Sequence, residues 1–463
     1  MKKLLSIILL FAVTTLSATD ITGPWNGILK VQGIQLRIVF NINEIDGTYS
    51  TTMDSPDQGA QGIPTDETTF IDGELIIKLA AMQIKYVGQW KEATSSIEGT
   101  FHQGPMSLPL NLSREEIEKE ARPQDPTEFP YHQEEISFVN PKGNHLLSGT
   151  LTTPSDRNFD KVAILISGSG PQDRNEELLG HRPFLVLSDY LTRHGIAVLR
   201  YDDRGVGESK GNFQTSNSVD FSEDVMAAIE YLHSREDFEG KKIGLIGHSE
   251  GGMIAPMVAS QREDVDFIVS LAGPGINSTD LMVLQTSSIS KAQGMPDHIV
   301  EMSSKILKEA FSYLKNNTTT ADSIVSDGFK EIFYKGYDYF PDSLHNKIGP
   351  KETFHKQYSS MFLNQWFRYF ISFEPAPYWR KVSCPVLAIN GELDLQVTPK
   401  ENLSGIEMAL NEASNQQVTI KEFKKLNHLF QLAETGALSE YATIEETFNE
   451  EAMAFIVNWL NKY

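Results

Sequence analysis

The chain has 463 residues, more than one ordinary domain holds, and this length indicates two or three domains. Hydrophobic residues make up 40% and charged residues 22%, a balance typical of soluble globular proteins rather than of disordered or membrane-embedded ones. The 62 acidic residues outnumber the 40 basic ones, and the formal net charge is −22. Such a surface repels phosphate backbones and anionic lipid headgroups, so we expect no nucleic-acid partner.

The amino-terminal segment has the order of a signal peptide. Met1, Lys2 and Lys3 come first, an apolar run from Leu4 to Val13 follows, and small or polar residues continue to Ala18. The run is too short to span a bilayer, and no later stretch is long and apolar enough to do so. We therefore expect residues 1–18 to be removed and the protein to be exported to the periplasm or the extracellular space. Loss of the two lysines would leave 38 basic against 62 acidic residues, a net charge of −24.

Cysteine usage and ligand spacing limit the chemistry. Cys384 is the only cysteine, so no intrachain disulfide can form and the fold depends on its hydrophobic core. It precedes Pro385 at the start of an apolar strand, which favours a packed structural role. The sequence contains no His-Glu-x-x-His or paired-cysteine spacing, so we expect neither a metal nor a cofactor.

Residues 19–114 alternate short apolar runs with glycine turns, which predicts a small antiparallel β-domain. The runs are Ile34–Ile42, Thr48–Thr52, Leu75–Leu79, Ile84–Trp90 and Leu108–Leu112. Asp46-Gly47, Asp72-Gly73 and Glu98-Gly99 are the predicted hairpin turns. Residues 115–132 carry several charges and three prolines without strand alternation, so we interpret them as a linker.

From residue 133 to residue 463, apolar strands alternate with helical segments. This alternation predicts an α/β fold, with a mostly parallel sheet covered by helices on both faces. The predicted strands are Lys161–Ser167, Ile196–Tyr201, Lys242–Ile246, Phe267–Leu271, Pro385–Asn390 and Val418–Phe423. The predicted helices are Pro183–His194, Ser222–Ser234, Met253–Ser260 and, at the end of the chain, Ile444–Leu460.

One long stretch, residues 277–379, interrupts this alternation between two predicted strands and has helical character. Insertions of this length inside a compact domain are usually functional, so we interpret the stretch as a helical cap over the active site. It contains a cluster of aromatic residues that we expect to pack the cap onto the body: Trp366, Phe367, Tyr369, Phe370 and Phe373.

The segment Gly247-His248-Ser249-Glu250-Gly251 follows a predicted strand and opens a predicted helix. A nucleophile elbow needs this context, because glycines on both sides let the backbone turn sharply and present the serine hydroxyl above the sheet edge. The five-residue pattern alone is weak, since it occurs by chance in many chains. Its position after a strand predicts that Ser249 is a catalytic nucleophile.

A nucleophilic serine requires a base and an orienting carboxylate. Asp394 directly follows one predicted strand, and His428 lies just beyond the next, so both should reach the same sheet edge. The chain order serine, aspartate, histidine is that of nucleophile-elbow enzymes. Glu392 is a rival acid, but two residues earlier it should still lie inside the turn. His248 adjoins the nucleophile along the backbone and cannot swing to its hydroxyl, so His428 is the predicted base.

The oxyanion of such a reaction needs two backbone N–H donors. One should come from Glu250, the residue after the nucleophile, and the other from the glycine loop after an earlier strand, where Ser169 is the first choice and Gly170 the second. Asp173 and Arg174 follow in that loop, and we expect them to brace it rather than to bind substrate.

Five motifs together resemble those of the EstD-type bacterial carboxylesterases of the α/β-hydrolase superfamily. They are Gly168-Ser169-Gly170-Pro171-Gln172-Asp173-Arg174, Asp203-Arg204-Gly205-Val206-Gly207, Gly247-His248-Ser249-Glu250-Gly251-Gly252, Gly391-Glu392-Leu393-Asp394 and Asn427-His428. The resemblance covers roughly residues 133–463. It implies an α/β-hydrolase fold and hydrolysis of small carboxylic esters through an acyl-enzyme, with Ser249, Asp394 and His428 as the triad. Some members of that family also carry an extra amino-terminal β-domain.

Two other functions remain open at this point. The same motifs are similar to those of serine aminopeptidases, so a peptidase acting on short peptides is the alternative enzyme. An envelope binding protein with a vestigial hydrolase domain is the alternative from another class. The apparently complete triad disfavours this second alternative, because a dead hydrolase has no need to keep all three members.

Overall fold

A computed structural model describes residues 19–31, 34–58, 60–104, 106–117 and 122–463. The predicted signal peptide, residues 1–18, lies outside these described residues. The chain divides into two compact units, one formed by residues up to Pro56 together with Ala60–Glu118, the other by Asp57–Gly59 and Lys119–Tyr463. Within the described ranges, no helix is both long and apolar enough to cross a membrane.

The amino-terminal unit is built from antiparallel strands, as predicted. Its strands are β1 (Gly23–Val31), β2 (Ile34–Ile45), β3 (Thr48–Ser55), β4 (Ala60–Pro64), β5 (Glu67–Ile71), β6 (Glu74–Leu79), β7 (Ile84–Lys91), β8 (Ser96–Gln103) and β9 (Met106–Pro109). They form two sheets, with strand orders β1-β2-β3-β4 and β5-β6-β7-β8-β9. Apolar side chains of both sheets, among them Trp25, Phe40 and Tyr86, form one buried core.

Two of the three predicted hairpin turns are confirmed. Asp46-Gly47 joins β2 to β3 and Asp72-Gly73 joins β5 to β6, and all four residues have positive φ, as tight hairpin turns require. The prediction for Glu98-Gly99 was wrong, because this pair lies inside β8. Gly99 faces Gly88 across the β7–β8 ladder, and a Cβ at either position would overlap the hydroxyl of Tyr86. This glycine therefore makes room for a core side chain and not for a turn.

The second unit contains a mixed, mostly parallel sheet. Its strands are β10 (His132–Asn140), β11 (His145–Thr153), β12 (Lys161–Ile166), β13 (Ala197–Tyr201), β14 (Lys242–His248), β15 (Phe267–Leu271), β16 (Val386–Gly391) and β17 (Val418–Phe423). The strand order is β10-β11-β13-β12-β14-β15-β16-β17. β10 pairs antiparallel with β11 and β11 antiparallel with β13, whereas the strands from β13 to β17 run parallel.

Helices cover both faces of this sheet. The helices of the unit are α1 (Pro183–Arg193), α2 (Ser218–His233), α3 (Glu250–Ala259), α4 (Ser278–Ala292), α5 (Asp297–Lys315), α6 (Asp322–Tyr337), α7 (Asp342–Ile348), α8 (Lys351–Phe362), α9 (Gln365–Ser372), α10 (Ala376–Trp379), α11 (Pro399–Glu412) and α12 (Glu450–Leu460). Side chains of α1 and α12 pack on one face, and those of α2, α3 and α11 pack on the other. Consecutive residues of β12 enter opposite cores, which is why this strand is apolar without interruption.

The last helix begins later than predicted. The sequence pattern placed its start near Ile444, but α12 begins at Glu450 after the helix cap Asn449. The Asn449 side chain accepts hydrogen bonds from the backbone N–H groups of Glu451 and Ala452, which fixes the start of the helix there.

The stretch predicted to be a cap holds α4 to α10, inserted between β15 and β16. These helices have an aromatic core of their own, which includes Phe311, Phe329 and Phe333. Phe370 and Phe373 instead pack with Met253 and Met257 of α3. The aromatic cluster thus attaches the cap to the body, and the predicted fold class, with its amino-terminal β-sheets and its helical cap, is confirmed.

Candidate active site

Ser249 occupies a strained turn between β14 and α3. Its backbone has φ 52° and ψ −116°, a conformation that a residue with a side chain rarely adopts and that costs about 1–3 kcal/mol. Added Cβ atoms at Gly247 or Gly251 would overlap neighbouring backbone, which explains a glycine on each side of the serine. This is the geometry of a nucleophile elbow, because it raises the Ser249 hydroxyl at the carboxyl edge of the sheet.

His428 and Asp394 form a buried pair at the same sheet edge. The Nδ1 atom of His428 lies 2.8 Å from Oδ2 of Asp394, and the two residues are only 4% and 2% exposed. The other oxygen of Asp394 accepts hydrogen bonds from the backbone N–H groups of Gln396 at 2.8 Å and Val397 at 2.9 Å. These bonds fix the carboxylate, so it can orient the imidazole of His428.

Ser249 and His428 line the same cavity, but the structure does not join them by a hydrogen bond. Among the described residues, no partner bonds to the Ser249 hydroxyl. Catalytic hydrogen bonds are often long or misaligned when no substrate is present, so the separation is compatible with a nucleophile and its base. The three predicted residues are therefore brought to one place, with one of the two expected contacts formed.

Glu392, the rival acid, faces elsewhere. Its carboxylate accepts hydrogen bonds from Nζ of Lys424 at 2.9 Å and from the backbone N–H of Lys425 at 3.0 Å. The bond from Lys424 is the main reason that the pKa of Glu392 is lowered. Glu392 thus belongs to an exposed ion pair, and Asp394 is the carboxylate that contacts His428.

The glycine loop after β12 lies against the nucleophile. A Cβ added to Gly168 would lie 3.2 Å from Cβ of Ser249, so the loop backbone passes close to the serine. In the part of the chain that the structure describes, neither the backbone N–H of Ser169 nor that of Glu250 has an acceptor. Both N–H groups are therefore free to donate to an oxyanion bound beside Ser249.

Asp203 holds this loop in place through two hydrogen bonds. One carboxylate oxygen accepts a hydrogen bond from the Ser167 hydroxyl at 2.8 Å, and the other accepts from the backbone N–H of Gln172 at 3.0 Å. Burial raises the pKa of Asp203 well above its usual range. Arg174 braces the loop as well, through paired bonds of 3.0 Å and 2.7 Å to Asp202, in agreement with the structural role predicted for it.

The hydrogen-bond partners of the Glu250 side chain are a feature that the sequence did not predict. The carboxylate is 2% exposed and borders the cavity. It accepts hydrogen bonds from the Ser218 hydroxyl at 2.5 Å and from the Trp366 indole nitrogen at 2.9 Å and 3.0 Å. Burial is the largest influence on Glu250, and it raises the pKa of this carboxyl. These partners lie 32 and 116 residues away, so no local pattern could reveal them.

A second histidine–carboxylate pair lies beside the first and was also missed. Nδ1 of His248 is 2.8 Å from Oε1 of Glu176, and Nε2 of His248 is 3.0 Å from the backbone oxygen of His428. The rings of His248 and His428 are 4.9 Å apart between centroids. His248 was set aside because it cannot reach the Ser249 hydroxyl, and the structure shows it turned toward the base instead.

A cavity of about 370 Å³ opens above these residues. The cap contributes an apolar wall that includes Leu281, Met282, Trp366 and Phe370. Where the structure describes the chain, the residues around this cavity include no lysine or arginine, and no group of His, Cys, Asp and Glu side chains is placed to hold a metal ion. The site therefore suits a small, largely apolar molecule.

Comparisons with known proteins show sequence similarity to hydrolases. A sequence family described as serine aminopeptidase, S33 (Hydrolase_4) matches residues 183–329, a segment that includes Ser249 and ends before Asp394. The esterase EstD of Thermotoga maritima is 26% identical over 284 residues, which make up 61% of this chain and 58% of that esterase. The chain thus matches little more than half of the length of this relative.

Other similar proteins are more distant or match shorter segments. YfhR of Salmonella typhimurium, described as uncharacterized, is 29% identical over 123 residues, or 27% of this chain and 39% of YfhR. Among solved structures, an esterase of Pyrococcus furiosus has a TM-score of 0.43 and 18% identity, covering 72% of this chain and 92% of its own. The dienelactone hydrolase of Anabaena variabilis has a TM-score of 0.40 and 15% identity, covering 72% and 99%.

The sheet order, the covering helices and the strained turn at Ser249 define an α/β-hydrolase fold. The sequence of the chain is related to that of a bacterial esterase, so the resemblance inferred from the motifs is confirmed. Both sequence matches support the prediction that the chain is an enzyme of the hydrolase class.

Proposed function

We propose that this protein is an exported serine hydrolase that cleaves short-chain or aryl carboxylic esters through an acyl-enzyme. The observation that carries the proposal is the buried 2.8 Å contact between His428 and Asp394, beside a cavity that also holds Ser249 on its strained turn. A nucleophile, a base and an orienting acid are the groups that acyl transfer requires.

In the proposed reaction, Nε2 of His428 takes the hydroxyl proton as Ser249 attacks the ester carbonyl carbon. Asp394 accepts a hydrogen bond from the protonated Nδ1 of His428. This bond holds the imidazole in the tautomer whose Nε2 carries no proton and can act as the base. The backbone N–H groups of Glu250 and Ser169 stabilise the negative charge on the carbonyl oxygen. His428 then protonates the departing alkoxide. In the second half of the reaction His428 takes a proton from a water molecule, which attacks the acyl carbon, and returns it to the Ser249 oxygen as the carboxylic acid leaves.

The cavity supports the choice of substrate class. Its volume of about 370 Å³ suits a short acyl chain or a single aromatic ring, and its cap wall is apolar. An ester needs little help to release its alcohol, so one base and two oxyanion donors suffice. The similarity to EstD, an esterase by name, points in the same direction.

A serine aminopeptidase is the second candidate, favoured by the description of the matching family. Such an enzyme binds the α-ammonium group of its substrate through acidic side chains. Glu176 and Glu250 border the cavity, but donors within the protein already engage both. Glu250 accepts from Ser218 and Trp366, and Glu176 accepts from the backbone N–H of Gly168 at 2.7 Å. An ammonium group would have to compete with these bonds, which disfavours the peptidase.

The candidate from another class, a binding protein with a vestigial hydrolase domain, is disfavoured by Ser249 itself. A strained backbone conformation costs stability and persists where the surrounding structure imposes it, typically at functional sites. A chain that only bound a ligand would gain stability by relaxing this turn.

A substrate panel tests the proposal. We expect p-nitrophenyl esters with acyl chains of two to six carbons to be hydrolysed with a kcat/KM at least about a hundredfold above that for aminoacyl p-nitroanilides, a difference of roughly 2.7 kcal/mol. Ser249→Ala should fold normally, lose ester hydrolysis by several powers of ten and lose labelling by a fluorophosphonate. Comparable rates on esters and amides would move the assignment to a peptidase, and near-normal turnover by Ser249→Ala would exclude a serine mechanism.

A further inference from the structure

The ring of His248 lies between two groups that accept hydrogen bonds. Nε2 faces the backbone oxygen of His428 at 3.0 Å, and a carbonyl oxygen can only accept. Nδ1 faces Oε1 of Glu176 at 2.8 Å, and the same oxygen also accepts the backbone N–H of Gly168 at 2.7 Å. An oxygen that already accepts the Gly168 N–H serves as an acceptor for Nδ1 too. Both ring nitrogens must then carry protons, which makes His248 an imidazolium.

This pair contacts both the loop of one proposed oxyanion donor and the backbone of the proposed base. Gly168 belongs to the loop that carries the oxyanion donor Ser169, and a Cβ on Gly168 would lie 3.3 Å from Oε1 of Glu176 and 3.5 Å from Nδ1 of His248. The carbonyl bonded to Nε2 of His248 is that of the proposed base. Ser249 follows His248 directly in the chain. Glu176 and His248 are 5% and 6% exposed, so water does not compete with these bonds.

We propose that His248 is a protonated positioning residue, and that its ion pair with Glu176 holds the base loop and the oxyanion loop in register with Ser249. Both loops lie outside regular helices and strands, and the His248–Glu176 pair connects them through the Gly168 N–H and the His428 carbonyl. Acyl transfer needs its groups held within about 0.5 Å of the productive geometry. The kinetic part of this inference rests on the proposed function, whereas the protonation state of His248 does not.

The charges around His248 agree with the geometry. Burial is the largest influence on His248 and lowers its pKa, but the charge and hydrogen bond of Glu176, the carbonyl of His428 and the charge of Asp394 together raise the pKa above that of an ordinary histidine. The other titratable groups near the base are Asp394, paired to His428, and Tyr441, whose hydroxyl contacts the His428 backbone. While His248 and Glu176 stay paired, they add no net charge beside His428.

Removing only one member of the His248–Glu176 pair leaves the charge of the other uncompensated, and this gives a kinetic test. His248→Gln removes the cation and leaves the Glu176 carboxylate beside His428, where it favours the protonated, inactive form of the base. We expect the acid limb of the kcat/KM profile for p-nitrophenyl butyrate to move to higher pH by about one unit, and kcat to fall about tenfold or more.

Adding Glu176→Gln to His248→Gln removes both charges. The acid limb should return close to its wild-type position, while kcat stays low because the link between the two loops stays broken. A purely structural role would lower kcat in both variants and leave the acid limb in place. An acid limb that does not move in His248→Gln, or that the second substitution fails to restore, would overturn the inference.

A direct measurement keeps the inference testable if these variants fold poorly. In the wild-type protein labelled with ¹⁵N-histidine, we expect His248 to show two ring N–H signals at pH 8.5, where ordinary histidines have none or one that exchanges quickly. The inactive Ser249→Ala variant should show the same two signals. A ring with a single proton at that pH would overturn the inference. Absent ester hydrolysis with both signals present would instead count against the proposed function alone.

Discussion

The indole nitrogen of Trp366 donates to both carboxylate oxygens of Glu250, at 2.9 Å and 3.0 Å. Trp366 lies in α9 of the cap, and Glu250 is the first residue of α3, directly after Ser249. Glu250 thus binds the cap through its side chain, and its backbone N–H is a proposed oxyanion donor. Cap position and oxyanion stabilisation are expected to change together.

Trp366→Phe tests this link, because it keeps an aromatic ring and removes the N–H donor. A hydrogen bond to a charged group contributes about 1.5–3 kcal/mol, so we expect kcat/KM to fall roughly tenfold or more. Trp379→Phe is the matched control, since among the described residues the indole nitrogen of Trp379 has no partner although the side chain is fully buried. Equal kcat/KM values for wild type and Trp366→Phe would contradict a functional link.

Two carboxylates two residues apart allow a paired test of the orienting acid. Asp394→Asn leaves an amide beside Nδ1 of His428 and favours the wrong tautomer, so we expect kcat to fall about a thousandfold or more. Glu392→Gln breaks only the exposed contacts with Lys424 and Lys425 and should change kcat less than about twofold. Both rates can be measured with p-nitrophenyl acetate. A large loss in Glu392→Gln with a mild one in Asp394→Asn would transfer the acid role.

The charge of the cavity predicts selection against anionic substrates. Glu176 and Glu250 border it, both ring nitrogens of His248 already have partners within the protein, and the described lining residues include no lysine or arginine to pair with a substrate carboxylate. Burying an unpaired anion is costly, so we expect mono-p-nitrophenyl succinate to be hydrolysed at least about tenfold less efficiently than p-nitrophenyl butyrate, which has the same chain length without the charge. Glu250→Gln, which removes a carboxylate from the cavity, should reduce the difference in kcat/KM between the two esters. Equal kcat/KM values for the two esters would refute the prediction.

Export can be tested by mass. Expressed with an intact secretion pathway, the protein should begin near Thr19, and the apolar run before it should be absent. Leu9→Arg, which puts a charge into that run, should leave the full-length chain in the cytoplasm. A full-length cytoplasmic product from the unaltered gene would show that residues 1–18 are not a signal peptide.

Much of the fold follows from local patterns. Phe267–Leu271 and Val418–Phe423 have the bounds predicted for them, because short apolar runs between helical segments have few alternatives in a doubly covered sheet. The exceptions have physical causes. Gly99 serves the packing of Tyr86, and Asn449 caps a helix whose apolar pattern begins earlier in the chain.

The residues of the site also divide into those that local patterns predicted and those that they did not. Ser249 has a local signature, and Asp394 and His428 follow strands that end at one sheet edge, so chain order and strand position predicted their meeting place. Glu176 has no such signature, since it lies in a loop 72 residues before its partner His248. Contacts across such separations depend on tertiary packing, and no spacing in a single sequence encodes them.

The lone cysteine gives this protein a practical property. Cys384 packs against the core beneath the sheet, and burial raises the pKa of its thiol to about 12, so maleimide reagents will find almost no thiolate there at neutral pH. A cysteine introduced at an exposed position becomes the one reactive thiol. Ile324→Cys on α6 and Met408→Cys on α11, at residues that are 57% and 62% exposed, would carry a pair of spectroscopic labels. The distance between the labels would then report whether the cap moves relative to the sheet during turnover, without any prior removal of native thiols.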